Sequence, residues 1–133
     1  MRLLVLATEP VDADRVRSAV PGEDLDGAEV LVVSPAVNES AVAFWMSDSD
    51  EAIADAQSTA DATAAALREN GANARATTGE SEPLLALQDA LATYPADRIV
   101  VFVRADDTAR YREDDVIGEA ERRFGVPVTE IEA

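Results

Sequence analysis

The stretch Ala96-Asp97-Arg98-Ile99-Val100-Val101-Phe102-Val103-Arg104 decides the fold. Five apolar residues run unbroken from Ile99 to Val103, four of them Val or Ile, with charged residues on both sides. The run is too short and too β-branched for a helix of ordinary length. An apolar run without alternation marks a strand that is covered on both faces. It therefore predicts the central strand of a parallel sheet, with helices above and below. In such sheets ligands bind just beyond the carboxyl ends of the strands, which directs attention to Arg104 onward.

The same signal recurs on either side of this stretch. Arg2 to Ala7 is nearly all apolar and predicts a first strand; Ala28 to Ser34, with Val30-Leu31-Val32-Val33 inside it, predicts a second. Between them Asp12 is an N-cap candidate for a short helix with Val16, Ala19 and Val20 on its apolar edge, stopped by Pro21. A long helical pattern follows Ser47-Asp48-Ser49-Asp50-Glu51 and runs to Gly71, a suitable C′ residue. Its predicted buried stripe is Ile53, Ala56, Ala60, Ala64 and Leu67. Asn73 to Thr77 is polar enough for an edge strand. Gly79 to Pro83 reads as a loop, and Leu84, Leu87, Ala90 and Leu91 as the apolar face of the next helix, ended by Pro95. Beyond the central run, Asp114 to Phe124 predicts a last helix closed by Gly125. Val126 to Ile131 predicts a last strand, kept at an edge because Pro127 lacks an amide donor. Strands that alternate with helical crossovers imply one three-layer αβα domain over residues 1–133, with a five-stranded parallel sheet.

Composition narrows the chemistry. Apolar residues make up 47% of the 133, enough for a real core. No apolar run approaches the about 18 residues needed to span a membrane, and Met1 to Ala7 is too short for a signal peptide, so a cytoplasmic protein is expected. The chain has no Cys, no His and, since all 11 basic residues are Arg, no Lys. Disulfides, zinc–thiolate sites, the usual neutral-pH base and the Schiff-base amine are therefore excluded. An enzyme here would have to work with carboxylates, hydroxyls, Tyr or Arg. The net charge of −16 repels nucleic acid and anionic lipid, so neither is an expected partner. The acids are scattered along the chain, which suits solubility, including in a salty cytoplasm, better than one acidic face for a basic partner.

Three local features invite a functional reading. Phe44-Trp45 reads as a plug over the core edge, with a ligand platform as the alternative. Asp48-x-Asp50 resembles the start of a calcium loop but lacks its Gly and distal Glu, so helix capping explains it better and no metal site is expected. Arg104, Arg110 and Arg112 surround Tyr111 after the central run; the guanidinium forks suit phosphate or carboxylate and the Tyr suits a base, while pairing with nearby Asp is the plainer use.

Gly79-x-x-x-Pro83, a helix, then Ala96-Asp97-x-Ile99-Val100, and the ending Phe124-Gly125-Val126-Pro127-Val128, resemble the universal stress protein family. Leu6-Ala7-Thr8-Glu9 stands where that family has its first strand and an acidic residue. Phe44-Trp45 with Asp48-x-Asp50-Glu51-Ala52 resembles an actinobacterial branch of it. The resemblance implies a Rossmann-like sheet in the order 3-2-1-4-5 and a homodimer, paired through the last strand (Val126 to Ile131). It also implies a regulatory or binding role more often than an enzymatic one, with an adenine nucleotide as the ligand in many members. ATP-binding members carry Gly-x-x-Gly and a later Gly-Ser or Gly-Thr after strand four. Here the leading positions hold Phe102 and Ala105, and the later pair falls at Asp115-Val116 or Gly118-Glu119, so the ATP cradle is not expected. The resulting expectation is a non-catalytic stress-protein-like regulator. The alternative is a small-ligand or adenine-nucleotide sensor, with Thr8, Glu9, Val33, Arg104, Arg110 and Tyr111 lining the cleft at the ends of strands one and four. A weak nucleotide hydrolase with Glu9 as base is a third reading, and requires burial to raise the Glu9 carboxyl.

Overall fold

The computed structural model describes residues 2–20, 25–35, 49–79, 83–103 and 116–132. Five parallel strands form one sheet in the order β3-β2-β1-β4-β5: β1 Arg2–Ala7, β2 Glu29–Pro35, β3 Asn73–Gly79, β4 Arg98–Val103 and β5 Val128–Glu132. Helices α1 (Ala13–Ala19), α2 (Ser49–Glu69), α3 (Pro83–Thr93) and α4 (Val116–Phe124) connect them in chain order. The Ile99–Val103 run is interior, as its composition requires, but the middle place belongs to β1, and β4 lies beside it. Both strands are apolar without alternation, so composition alone does not rank them.

Register puts the core in two layers. Leu4 pairs with Leu31 on one side and Ile99 on the other, and Val5 with Val32 and Val100. Leu3, Val5, Val30, Val32, Val100 and Phe102 face α1 and α2, where Val16, Ala60, Ala64 and Leu67 meet them. Leu4, Leu6, Leu31, Val33, Ile99 and Val101 face Ala86, Leu87 and Ala90 of α3 and Ala120 of α4. Each such Leu or Val contributes about 1.5–3 kcal/mol by leaving water. Ala56, Ala60, Ala64 and Leu67 are buried as predicted, and alanines let α2 lie close to the sheet.

The helix ends follow local chemistry. Asp12 Oδ1 accepts from Arg15 N at 2.9 Å, a cap at the third helical position of α1. At the end of α2, Gly71 N donates to Arg68 O and Ala72 N to Leu67 O, both at 3.1 Å, with Gly71 at φ 91°. A Cβ there would come within 2.5 Å of Asp26 Oδ1. Gly79 is the last residue of β3 instead of a loop residue. A Cβ at Gly79 would lie 2.9 Å from Ala86 Cβ and 3.0 Å from Val33 Cγ1, so the strand stays paired while α3 approaches. The last strand begins at Val128, two residues later than predicted, because Pro127 leads into it with its carbonyl accepting from Ile99 N. Of the predicted last helix, Val116 to Phe124 is described; Asp114, Asp115 and the Phe44-Trp45 pair lie outside the described residues. Among the described residues no helix is long and apolar enough to cross a membrane.

Tyr94 ties the end of α3 to the sheet. It is 5% exposed and its hydroxyl donates to Glu29 O at 2.8 Å. Burial, and then the Glu29 charge, raise its phenol above the ordinary 10.0; the backbone at Leu3 and the Arg75 and Arg2 guanidiniums pull the other way. A phenol raised by folding keeps its proton while the unfolded chain loses it. Stability is therefore intact below about pH 10 and falls as pH climbs through the folded value. Urea titration of Tyr94→Phe is expected to show a loss of about 1 kcal/mol at neutral pH. Above about pH 10 the gap to the parent chain is expected to narrow.

Candidate functional site

Parallel pairing brings the carboxyl ends of β1, β2 and β4 to one end of the sheet, where a ligand would meet them. Ala7 pairs with Phe102, so Thr8 stands one residue past the last paired position of β1, beside the end of β4. Its side chain is half-buried, yet its Oγ1 is fully shielded from solvent and has no hydrogen-bond partner. A sheltered hydroxyl without a partner is uncommon in a folded chain and marks a place where a donor or acceptor from elsewhere would be welcome. Glu9 next to it is exposed, without the burial on which the hydrolase reading rests. Val33 is 1% exposed and packs in the core with Leu6 and Val101. Arg104, Arg110, Tyr111 and Arg112 lie outside the described residues. Of the predicted site residues, the described ones thus split into an orphaned hydroxyl, an exposed carboxylate and a core valine.

The loop carrying Thr8 is anchored by a residue that the helical pattern conceals. Thr63 of α2 is fully buried, and its Oγ1 accepts from Val11 N at 3.0 Å. It lies one turn from Ala60 and Leu67 on the buried face, so a hydroxyl inside the alanine stripe was the signal for it. Thr8 and Thr63 are opposite cases: one has a buried oxygen to spare, the other satisfies a buried backbone amide.

Phe102 closes the β4 side of this end. It is 2% exposed and packs with Ala7, Val11, Val16 and Val100. Two shallow depressions lie at the other, amino end of the sheet. One, of about 310 Å³, is lined by Glu29, Val30, Asn73, Arg75 and Tyr94; the other, of about 410 Å³, by Arg2, Gly27, Glu29 and Asp97. Their polar groups already serve one another: Arg2 Nε meets Glu29 Oε2 at 3.2 Å, and Arg2 N donates to Asp97 Oδ2 at 3.0 Å. Among the described residues no group of three or more acidic side chains could hold a metal ion.

The sequence matches no protein-family model and no curated protein. The structure is similar to that of a universal stress protein from Archaeoglobus fulgidus, with a TM-score of 0.55 at 18% identity, over 98% of this chain and 93% of that chain. The likeness is one of fold: a five-stranded Rossmann-type sheet in the order 3-2-1-4-5.

The two threonines give a paired expectation. Thr63→Val leaves the Val11 amide buried without an acceptor and is expected to lower unfolding free energy in urea by about 1–3 kcal/mol. Thr8→Val replaces an unserved hydroxyl by a methyl of the same shape and is expected to be neutral or to stabilise the ligand-free chain by about 1 kcal/mol.

Proposed function

We propose that this chain is a non-catalytic, universal-stress-like binding or regulatory protein that does not hold ATP through a glycine cradle. The observation that carries the reading is Phe102. It stands where the resemblance puts the first glycine of that cradle, and its ring is committed to the core beside Ala7 and Val11. Glycines serve such cradles by letting backbone amides approach phosphate closely; a phenyl ring anchored in the core fixes this position for packing instead. The absence of His, Cys and Lys from the sequence argues against a hydrolase, because it removes the side chains that most often act as base near neutral pH.

The orphaned Thr8 hydroxyl favours a second reading, a sensor of a small ligand at the ends of β1 and β4. The ligand would present a hydrogen-bonding group to Thr8, and an adenine nucleotide bound without the glycine cradle is one such candidate. In either reading the chain acts in the cytoplasm as a homodimer joined through the outer edge of β5. That edge strand is paired only on its β4 side among the described residues, and its free backbone groups suit a second copy.

Isothermal titration with ATP, ADP and AMP, each with magnesium, is expected to give no micromolar binding of ATP; such binding overturns the first reading. A small molecule that co-purifies with the chain and is lost on Thr8→Val would establish the second. For the dimer, Glu130→Pro, which removes an amide on the side of β5 away from β4, is expected to shift sedimentation to the monomer while leaving the far-UV spectrum unchanged.

A further inference from the structure

We infer that the stability of this fold is conditional on salt: it depends on dissolved cations screening a chain of high net negative charge. The charge of −16 over 7129 Å² of accessible surface is one net negative charge for about 450 Å², which spaces net charges roughly 20 Å apart. That spacing lies inside the screening length of about 30 Å at 0.01 M salt, but is about twice the 10 Å at 0.1 M and far beyond the 3 Å at 1 M. In dilute buffer the charges therefore act on one another, and in concentrated salt they do not.

Among the described residues local pairing relieves little of the repulsion. Four ion pairs stand among the described residues, all at the surface, where such pairs contribute little. Two of them bring Arg122 and Arg123 to the single carboxylate of Glu119, which their hydrogen bonds hold below its usual range. Two cations thus serve one acid while others go without. Asp55, Glu69, Asp89, Glu121 and Glu130 have no basic partner within salt-bridge distance among the described residues. Asp61 accepts from the neutral Gln57 amide and Asp12 from a backbone N–H, so neither of these bonds brings a cation to the carboxylate. No acidic side chain whose burial is described is buried.

The opposing term is modest under α2. The helix meets the sheet through Ala56, Ala60, Ala64 and Leu67, three of them small side chains that remove little apolar area from water. Its exposed residues include Asp55, Asp61 and Glu69 against Arg68, and α1 with its cap brings Asp12 and Asp14 against Arg15 and Arg17. Only Arg17, bonded to Asp14 and to Asn70 at the α2 end, is shown bridging the two helices by a side-chain cation.

The test is thermal unfolding of the full chain, followed by circular dichroism at neutral pH from about 0.02 M to about 1 M KCl. The Tm is expected to rise by roughly 5–10 °C across that range. A variant carrying Asp55→Asn, Glu69→Gln, Asp89→Asn and Glu121→Gln changes only exposed side chains. It is expected to melt higher than the parent in low salt and to show roughly half its rise, because self-repulsion grows with the square of net charge. Asp89→Asn alone is expected to move both quantities in the same direction by less. A Tm that is flat with salt overturns the inference. So does an equal rise in parent and variant, which would assign the effect to salt acting on apolar surface.

Discussion

A strand covered on both faces has no water for its backbone, so every amide and carbonyl must find a partner in a neighbouring strand. That constraint governs β1 and β4. Leu4 and Ile99 lie side by side beneath α3 and α4, while Val5 and Val100 lie side by side beneath α1 and α2. Neither strand can stand at an edge. The polar strands, β3 with Asn73 and Arg75 and β5 behind Pro127, take the outside, where unpaired groups meet solvent or another chain.

Parallel pairing then fixes the connections. Each strand must return to the same end before the next can begin, so helices cross the faces, and their distance from the sheet depends on small residues. Alanines on α2 and the Gly79–Ala86 approach under α3 meet that need in different ways. In the first the helix is slim; in the second the strand gives up its side chain. The same geometry collects the carboxyl ends of the strands in one place and the amino ends in another. The amino end is closed by Arg2, Glu29, Asp97 and Tyr94, which bond to each other. The carboxyl end keeps Thr8 Oγ1 without a partner.

Two further properties coexist with this core. Phe102 carries the hydrophobic layer to the tip of β4, which adds buried area. Among the described residues Asp55, Glu69, Asp89, Glu121 and Glu130 meet no guanidinium, and packing beneath α2 relies on three alanines beside Leu67. A fold built this way draws its stability from the two sheet layers and is opposed by its own surface charge.

The sequence by itself determined the layers. Unbroken Val and Ile runs specify doubly covered strands, and Asp12 and Gly71 specify helix ends, because these signals act over a few residues and need no distant partner. The identity of the edge strands was legible for the same reason, in the polarity of β3 and in Pro127. Composition did not say which of two equally apolar strands is the middle one, since that depends on crossover order; the order 3-2-1-4-5 implied by the resemblance did, and the sheet has it. Only the tertiary structure decided what becomes of individual hydroxyls and rings. Thr8 and Thr63 are the same residue type, yet one is left without a partner and the other holds Val11, because a hydrogen bond requires two groups far apart in the chain to meet at about 3 Å. Val33 and Glu9 likewise sit near the same end of the sheet, but side-chain direction buries one and exposes the other. No linear pattern specifies those distances and directions; they follow from how the helices settle on the sheet.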